Sequence, residues 1–173
     1  MLSKIYLRSR YDPIRIKEED IFKTESRTKY GHYEFVVFPF DLTNAPTKFM
    51  CLMNNVLHPY IDKFVIVFID DILVYSKNEE EHVENSTIML IFLRDHHFYA
   101  KLRKCSFLQT EMHYLGHVIS KEGVAVDTEN ISAIMKWAAP NNVDEVRSFM
   151  GLTGYYRRFV KNFSCSTYPI TSL

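Results

Sequence analysis

Two adjacent carboxylates, Asp70 and Asp71, are the residues of this sequence best suited to chemistry, because they join two apolar runs at 63–69 and 72–75. Neighbouring carboxylates that lose hydration repel each other, so a cation has to compensate them, and hard oxygen donors suit Mg²⁺. Successive strand residues point to opposite faces, yet a tight turn can aim both side chains at one sheet edge. Aspartates are also common turn formers, and spacing alone leaves the metal and the plain turn both open. His113 and His117 have H-x3-H spacing, but they bracket a turn between strands and no cysteine pair completes a zinc site. Lys101, Arg103 and Lys104, together with Arg157, Arg158 and Lys161, could contact phosphates or form solvated charged faces.

The elements that must hold these residues follow from periodicity. A strand-like stretch at 5–7 opens the chain, and β-favouring runs at 24–29 and 33–38 flank Tyr30-Gly31-His32 as a hairpin. Thr43 or Asn44 caps a helix with Pro46 in its first turn and Phe49, Met53, Val56 and Leu57 at helical spacing, stopped by His58-Pro59. The runs at 63–69 and 72–75 do not alternate, which predicts strands covered on both faces. Ser76 or Asn78 caps a long helix that opens with Glu79, Glu80 and Glu81 and ends near His96. Its run at 88–93 is apolar all round, an exposed patch in expectation. Short strands are expected at 107–109, 112–115, 118–120 and 124–126. From Asp127 the period becomes helical, with Ile131, Ile134 and Met135, then Val143, Val146, Phe149 and Met150, facing inward. Trp137 and Phe149 read as core, and 164–173 has no period.

Length and composition limit the classes. The chain has 173 residues, 47% hydrophobic and 24% charged, which fits one ordered domain or two small ones. Its 21 basic and 21 acidic side chains cancel, which argues against a module held to nucleic acid by net charge alone. No apolar stretch approaches the roughly 20 residues of a membrane span, so no membrane partner is expected. Cys51, Cys105 and Cys165 are odd in number and far apart, and are expected to be reduced thiols of an intracellular, non-secreted protein.

Outward from the aspartate pair, the sequence resembles the reverse transcriptase of Gypsy-type long-terminal-repeat retrotransposons over almost its whole length. Phe68-Ile69-Asp70-Asp71 resembles the family's catalytic hairpin, and Pro39-Phe40-Asp41-Leu42-Thr43-Asn44-Ala45-Pro46 resembles its PFGLTNAP segment. Tyr114-Leu115-Gly116-His117-Val118-Ile119-Ser120 resembles the primer-grip turn, and the segment from Arg147 through Gly151 and Gly154 to Phe159 resembles the thumb. Two further stretches, Tyr30-Gly31-His32-Tyr33-Glu34-Phe35 and Ile14-Arg15-Ile16-Lys17-Glu18-Glu19-Asp20-Ile21, match the region between the first catalytic strand and PFGLTNAP.

The resemblance implies an α+β right-hand polymerase: an antiparallel palm sheet with helices over 1–126, part of the fingers at about 14–42, and a helical thumb over 127–173. It implies phosphoryl transfer through two Mg²⁺ ions about 3.5–4 Å apart, held by carboxylates from two strands. RNA or DNA template–primer is the implied partner, bound weakly and without sequence preference. The chain is expected to be a piece of a longer polyprotein, without the amino-terminal fingers and the ribonuclease H domain. Asp70 and Asp71 are the implied catalytic and metal-binding residues; Tyr11, Phe40 and Asp41 border the nucleotide; Leu115, Gly116, His117, Arg157 and Arg158 hold nucleic acid.

Departures from the pattern are concentrated where the chemistry should be. The family's IDLRSGYHQI motif reads Ile5-Tyr6-Leu7-Arg8-Ser9-Arg10-Tyr11-Asp12-Pro13-Ile14, so Tyr6 stands in place of the first catalytic aspartate. A neutral phenol with a pKa of about 10 cannot act as an anionic bridging ligand. Asp12 is no substitute, because six residues along a strand displaces a side chain by about 20 Å. Pro13 removes a donor from a strand that should be paired, and Asp41 places an extra anion where PFGL has glycine, close to the incoming triphosphate. Tyr11 matches the family's sugar-screening aromatic. The expectation is an incomplete Mg²⁺ site in an inactive copy, with a non-catalytic binding or polymerase-associating module, or a decayed copy, as the alternatives.

Overall fold

A computed structural model of the chain describes residues 1–8, 15–39 and 43–171. Tyr11, Phe40 and Asp41, and with them Pro13, lie outside the described residues. The chain divides into two compact units, Met1–Thr110 and Glu111–Leu173.

In the first unit, strand β1 (Leu2–Tyr6) begins earlier than its apolar centre suggests, because Leu2 and Ser3 are also buried. After a 3₁₀ turn at Glu18–Thr24, strands β2 (Ser26–Thr28) and β3 (Gly31–Tyr33) form the expected hairpin. It is shorter than predicted, and its loop is Lys29-Tyr30, with Gly31 opening the second strand at φ 140°. Helix α1 (Ala45–Leu57) carries Pro46 in its first turn and buries Phe49, Met53 and Leu57 as expected, with Ala45 added and Val56 only partly buried. Strands β4 (Val65–Phe68) and β5 (Asp71–Tyr75) make the central hairpin. Helix α2 (Glu79–Asp95) follows, its start capped by Asn78, whose Oδ1 accepts from Glu81 N at 2.8 Å, the usual way to satisfy an orphan donor there. Strand β6 (Ser106–Gln109) completes an antiparallel sheet in the order β4-β5-β1-β6.

Coverage of the hairpin strands differs from expectation. β5 is enclosed on both faces, but β4 alternates: Val65 and Val67 are buried, whereas Ile66 and Phe68 are 41% and 46% exposed. β4 is an edge strand with helices on one face only, and β-branched richness does not reveal that. Helices α1 and α2 cover that face, with Phe49, Met53, Met89 and Leu93 in one core with Ile5, Ile72 and Val74. On α2, Ile88, Leu90 and Ile91 stand exposed, as the all-round apolar run suggested.

Buried polar groups stitch these layers. Ser3 Oγ lies 2.7 Å from His82 Nε2 and accepts from Leu108 N at 3.1 Å, while His82 Nδ1 meets Ser76 Oγ at 3.1 Å. Asn85 Nδ2 donates to the same Ser76 Oγ at 2.9 Å. Burial lowers the His82 pKa, the amino-terminal ammonium lowers it further, and Glu81 opposes them, so neutral imidazole is the favoured form.

In the second unit, β7 (Glu111–Tyr114), β8 (His117–Ser120) and β9 (Gly123–Val126) form a separate three-stranded meander. The sequence period changes at Asp127, yet the compact units divide at 110/111, because these strands pair with one another and not with the first sheet. Helix α3 (Thr128–Met135) is capped by Asp127 as predicted, and α4 (Val143–Tyr155) follows. Their inward faces are shallower than predicted: Ile131, Met135 and Val143 are exposed, and Trp137 is 43% exposed with an edge contact to Phe149. A short unit has too little core to enclose three helices. A 3₁₀ turn at Arg157–Phe159 leads into α5 (Phe163–Thr171). No period was legible there because Ser, Thr and the internal Pro169 mask it.

Candidate functional site

The hairpin turn decides where the carboxylates go. Phe68 and Asp71 are register partners, which leaves Ile69 and Asp70 as the two turn residues. Ile69 sits at φ 51°, an uncommon conformation for a β-branched residue that costs on the order of 1–3 kcal/mol. Its N–H points to Met50 Sδ of α1 at 2.9 Å, and Leu7 N donates to Asp70 O at 2.9 Å, so the turn is held from both sides.

Across the sheet, Tyr6 is paired with Asp71 and therefore shares its face. The Tyr6 hydroxyl donates to Asp70 Oδ2 at 3.3 Å, long for an O–H···O bond. The tight turn thus does bring both carboxylates to one edge, and Tyr6 stands against both. Lys4, two residues earlier on that face, places Nζ 3.1 Å from Asp71 Oδ2. Asp70 is 6% exposed, so its charge sits largely out of water. The Tyr6 ring carries Lys104 Nζ at 4.4 Å from its centroid, and Tyr6 N donates to Cys105 Sγ at 3.3 Å. A cation over a ring face is attracted by the ring quadrupole. Neither Lys4, Lys104 nor Cys105 stood out from the aspartate motif; only pairing of β1 with β5 and β6 brings them there.

Among the described residues no group of three or more His, Cys, Asp or Glu side chains is placed to hold a metal ion. The H-x3-H histidines have separate surroundings. His113 Nδ1 contacts Asp127 Oδ2 at 2.7 Å, and that bond, with the N–H of Glu129, lowers the Asp127 pKa. His117 instead lies among Tyr155, Tyr156 and Phe159, with ring centroids 5.3–5.5 Å away.

The second cluster is built on the β7–β8 turn. Leu115 (φ 49°) and Gly116 (φ 76°) are the two turn residues, closed by the Tyr114–His117 pair. Positive φ at both central positions suits the twist of a hairpin. A Cβ on Gly116 would meet the Tyr156 hydroxyl at 2.5 Å. The turn's carbonyls are clasped: Tyr155 donates to Leu115 O at 2.8 Å and Tyr156 to Gly116 O at 3.4 Å. Burial, then Tyr155 and Asp127, raise the Tyr156 pKa, which keeps that donor protonated. Arg157 and Arg158 follow directly in the 3₁₀ turn, exposed and not ion-paired to any described residue. Leu115, Gly116, His117, Arg157 and Arg158 therefore form one neighbourhood within the second unit.

The chain is 38% identical over 162 residues to the retrovirus-related Pol polyprotein from transposon 297 of Drosophila melanogaster, a match covering 94% of this chain and 15% of the polyprotein. It is 37% identical over 167 residues to that of transposon gypsy of the same fly, covering 96% and 16%. The transposon Tf2-3 polyprotein of Schizosaccharomyces pombe is 32% identical over 173 residues, covering 100% and 13%. The chain thus spans only a small part of the polyproteins it matches. Its fold superposes on the foamy viral protease-reverse transcriptase in complex with double-stranded DNA with a TM-score of 0.86 at 24% identity, covering 99% of this chain and 30% of that one. For the foamy viral protein in complex with RNA/DNA hybrid the TM-score is 0.79 at 23% identity, covering 99% and 23%. The family model for reverse transcriptase (RNA-dependent DNA polymerase) matches residues 1–119, and with the aspartate hairpin in place this chain belongs to that family.

Proposed function

We propose that the chain is the palm, partial fingers and thumb of a Gypsy-type retrotransposon reverse transcriptase whose nucleotidyl-transfer centre is closed by Tyr6, leaving a template–primer-binding surface. The observation that carries the reading is Tyr6 in register with Asp71, its hydroxyl 3.3 Å from Asp70 Oδ2. Two-metal transfer needs anionic ligands from both strands to clamp the attacking and leaving oxygens. On this edge β1 offers a hydrogen-bond donor to one carboxylate, and Lys4 is an ammonium partner for the other. Two carboxylates engaged in this way do not fit a pair of Mg²⁺ ions: the negative charge is too small, and a phenol ring fills the space beside them. A single ion held loosely by Asp70 and Asp71 is the most this donor set supports.

Retention of nucleic acid is supported by the second unit, where the Leu115-Gly116 turn is locked by the two tyrosines beside Arg157 and Arg158. The structural neighbours named above hold double-stranded DNA and RNA/DNA hybrid, and the same kind of partner is proposed here. Tyr11, Phe40 and Asp41 keep their proposed place beside the nucleotide through the family motif alone.

Primer extension on an RNA template with Mg²⁺ or Mn²⁺ tests the reading, with Asp70→Asn run alongside to expose contaminating polymerase. Loss of the β1 ligand is expected to lower the rate by at least about a thousandfold relative to an intact site. Robust extension that vanishes in Asp70→Asn would refute the closed centre.

A further inference from the structure

We propose that the outward face of helix α2 is a docking surface for a second copy of this chain, the two helices packing antiparallel about a two-fold axis at Thr87. On its inner side α2 buries His82, Met89 and Leu93. On its outer side Val83, Ile88, Leu90 and Ile91 are all exposed. A helix that is apolar on both sides belongs where both are covered, and the first unit covers one of them.

The outer face is ordered along its length. Glu80, Val83, Thr87, Leu90 and Arg94 follow one another at steps of three and four, with Ile91 beside them, and all are exposed, so they form one stripe. Thr87 is its midpoint: Glu80 and Arg94 each lie seven residues away, about 10 Å along the axis. The middle of the stripe is apolar in effect. Thr87 Oγ1 already donates to Val83 O at 2.7 Å, so covering it strands no hydroxyl. A side chain this small at the crossing point also lets two helix axes approach closely.

Charge selects the partner and its direction. Glu79, Glu80 and Glu81 open the helix, Glu84 follows one turn later, and Arg94 closes it. A parallel pair would set acid against acid. An antiparallel pair sets Glu80 of each copy against the partner's Arg94, with Val83 against the partner's Ile91 between them. Glu84, one turn from Glu80, flanks the same guanidinium. Neither Glu80 nor Glu84 is ion-paired to a described residue. Arg94 contacts Asp95 through Nε at 3.0 Å, which leaves its terminal amines to reach across. The face is thus complementary to itself, as an isologous contact requires. Its 17 residues make a strip about 25 Å long and about 10 Å wide on each copy, small beside the roughly 800 Å² per partner of a stable complex, so the pair is weak and reversible. No residue of the Tyr6–Asp70–Asp71 edge takes part, and the pairing stands or falls apart from the closed centre.

The test is sedimentation velocity of the full 173-residue chain from about 5 µM to about 500 µM, in reductant so that the exposed Cys51 and Cys165 do not cross-link copies. A monomer–dimer equilibrium without larger species is expected, because an isologous contact closes on itself. Ile91→Asp should weaken the dimer at least about tenfold, by placing a carboxylate in the apolar middle of the contact. Glu80→Arg and Arg94→Glu should each leave the chain monomeric at concentrations where the parent pairs, since each variant then sets like charge against like. An equimolar mixture of these two variants should pair again, because every Arg then meets a Glu across the axis. Circular dichroism of each variant checks that the fold is kept. A parent chain that stays monomeric throughout overturns the proposal. So do association that Ile91→Asp leaves unchanged, single charge variants that pair as the parent does, and a mixture no more associated than its components.

Discussion

Replacing Tyr6 with aspartate should destabilise the first unit in the absence of metal and create a stabilising response to Mg²⁺ larger than that of the parent chain. Tyr6 and Asp71 are directly opposed on neighbouring strands, where Cβ atoms lie about 4.5–5.5 Å apart. Two carboxylates about 5 Å apart at an effective dielectric near 20 repel by about 3 kcal/mol. That dielectric suits the site, because the Lys4 and Asp71 side chains are 24% and 20% exposed. Asp70, losing the Tyr6 hydroxyl, adds to the repulsion, and Lys4 at 3.1 Å from Asp71, with Lys104 beside the residue-6 side chain, removes part of it. A net destabilisation of roughly 2–4 kcal/mol follows, on the order of 10 °C in the unfolding midpoint for a domain of this size. Mg²⁺ at about a hundred times its dissociation constant should return about 2.7 kcal/mol. Thermal unfolding of parent and Tyr6→Asp chains in EDTA and in Mg²⁺ measures all four terms. Equal midpoints in EDTA with no Mg²⁺ response in the variant, or a parent response as large as the variant's, would refute the account of this edge.

Gly116→Ala should destabilise the second unit by about 2 kcal/mol, from the positive φ and the displaced hydroxyl. Tyr156 is the residue displaced, so combining that change with Tyr156→Phe should cost less than the sum of the two in denaturant unfolding. His82 is held towards the neutral form by burial, so the unfolded chain binds the extra proton below about pH 6.5: stability should be level above that value and fall as pH drops towards the lower folded pKa. Urea midpoints at about pH 7.5 and about pH 5.5 check this, with a flatter response expected from His82→Leu. Duplex binding should weaken with salt, and Arg157→Gln or Arg158→Gln should each reduce the log–log salt slope by about 0.9 if each makes one phosphate contact.

Much of the framework is legible in the sequence because it is local. The capped starts of α2 and α3 and the Pro46 entry to α1 rest on residues within a few positions of each other, whereas the hairpin turn read at Asp70-Asp71 falls one residue earlier, at Ile69-Asp70, because Phe68 pairs with Asp71. What escapes is set by partners far along the chain. Nothing in 63–69 tells that β4 is an edge strand, since its neighbours are chosen by β1 and by helices on one side. Nothing in 106–126 tells that β6 joins β1 while β7 to β9 form their own sheet. Of the candidate site, the two aspartates and the missing third carboxylate are motif-level facts, but Lys4 on Asp71 and Lys104 over the Tyr6 ring emerge only from register. The Ser3–His82 pair joins residues 79 positions apart and has no local signature.

The sheet order β4-β5-β1-β6 also constrains how the unit can assemble during synthesis. β1 leaves the ribosome before either of its neighbours, Asp71–Tyr75 and then Ser106–Gln109, has been made. It carries Leu2 and Ile5, with Leu7 just beyond, all destined for the core. At about 5–20 residues per second, such a strand waits several seconds with both edges open. The β4–β5 hairpin can close alone in microseconds, so its free edge becomes the template on which β1 docks. The central strand is therefore the last of these three to be locked, and loop-closure entropy across the intervening chain sets the pace. During that wait the exposed strand edges are open to holdase chaperones, and to the matching edges of other nascent copies.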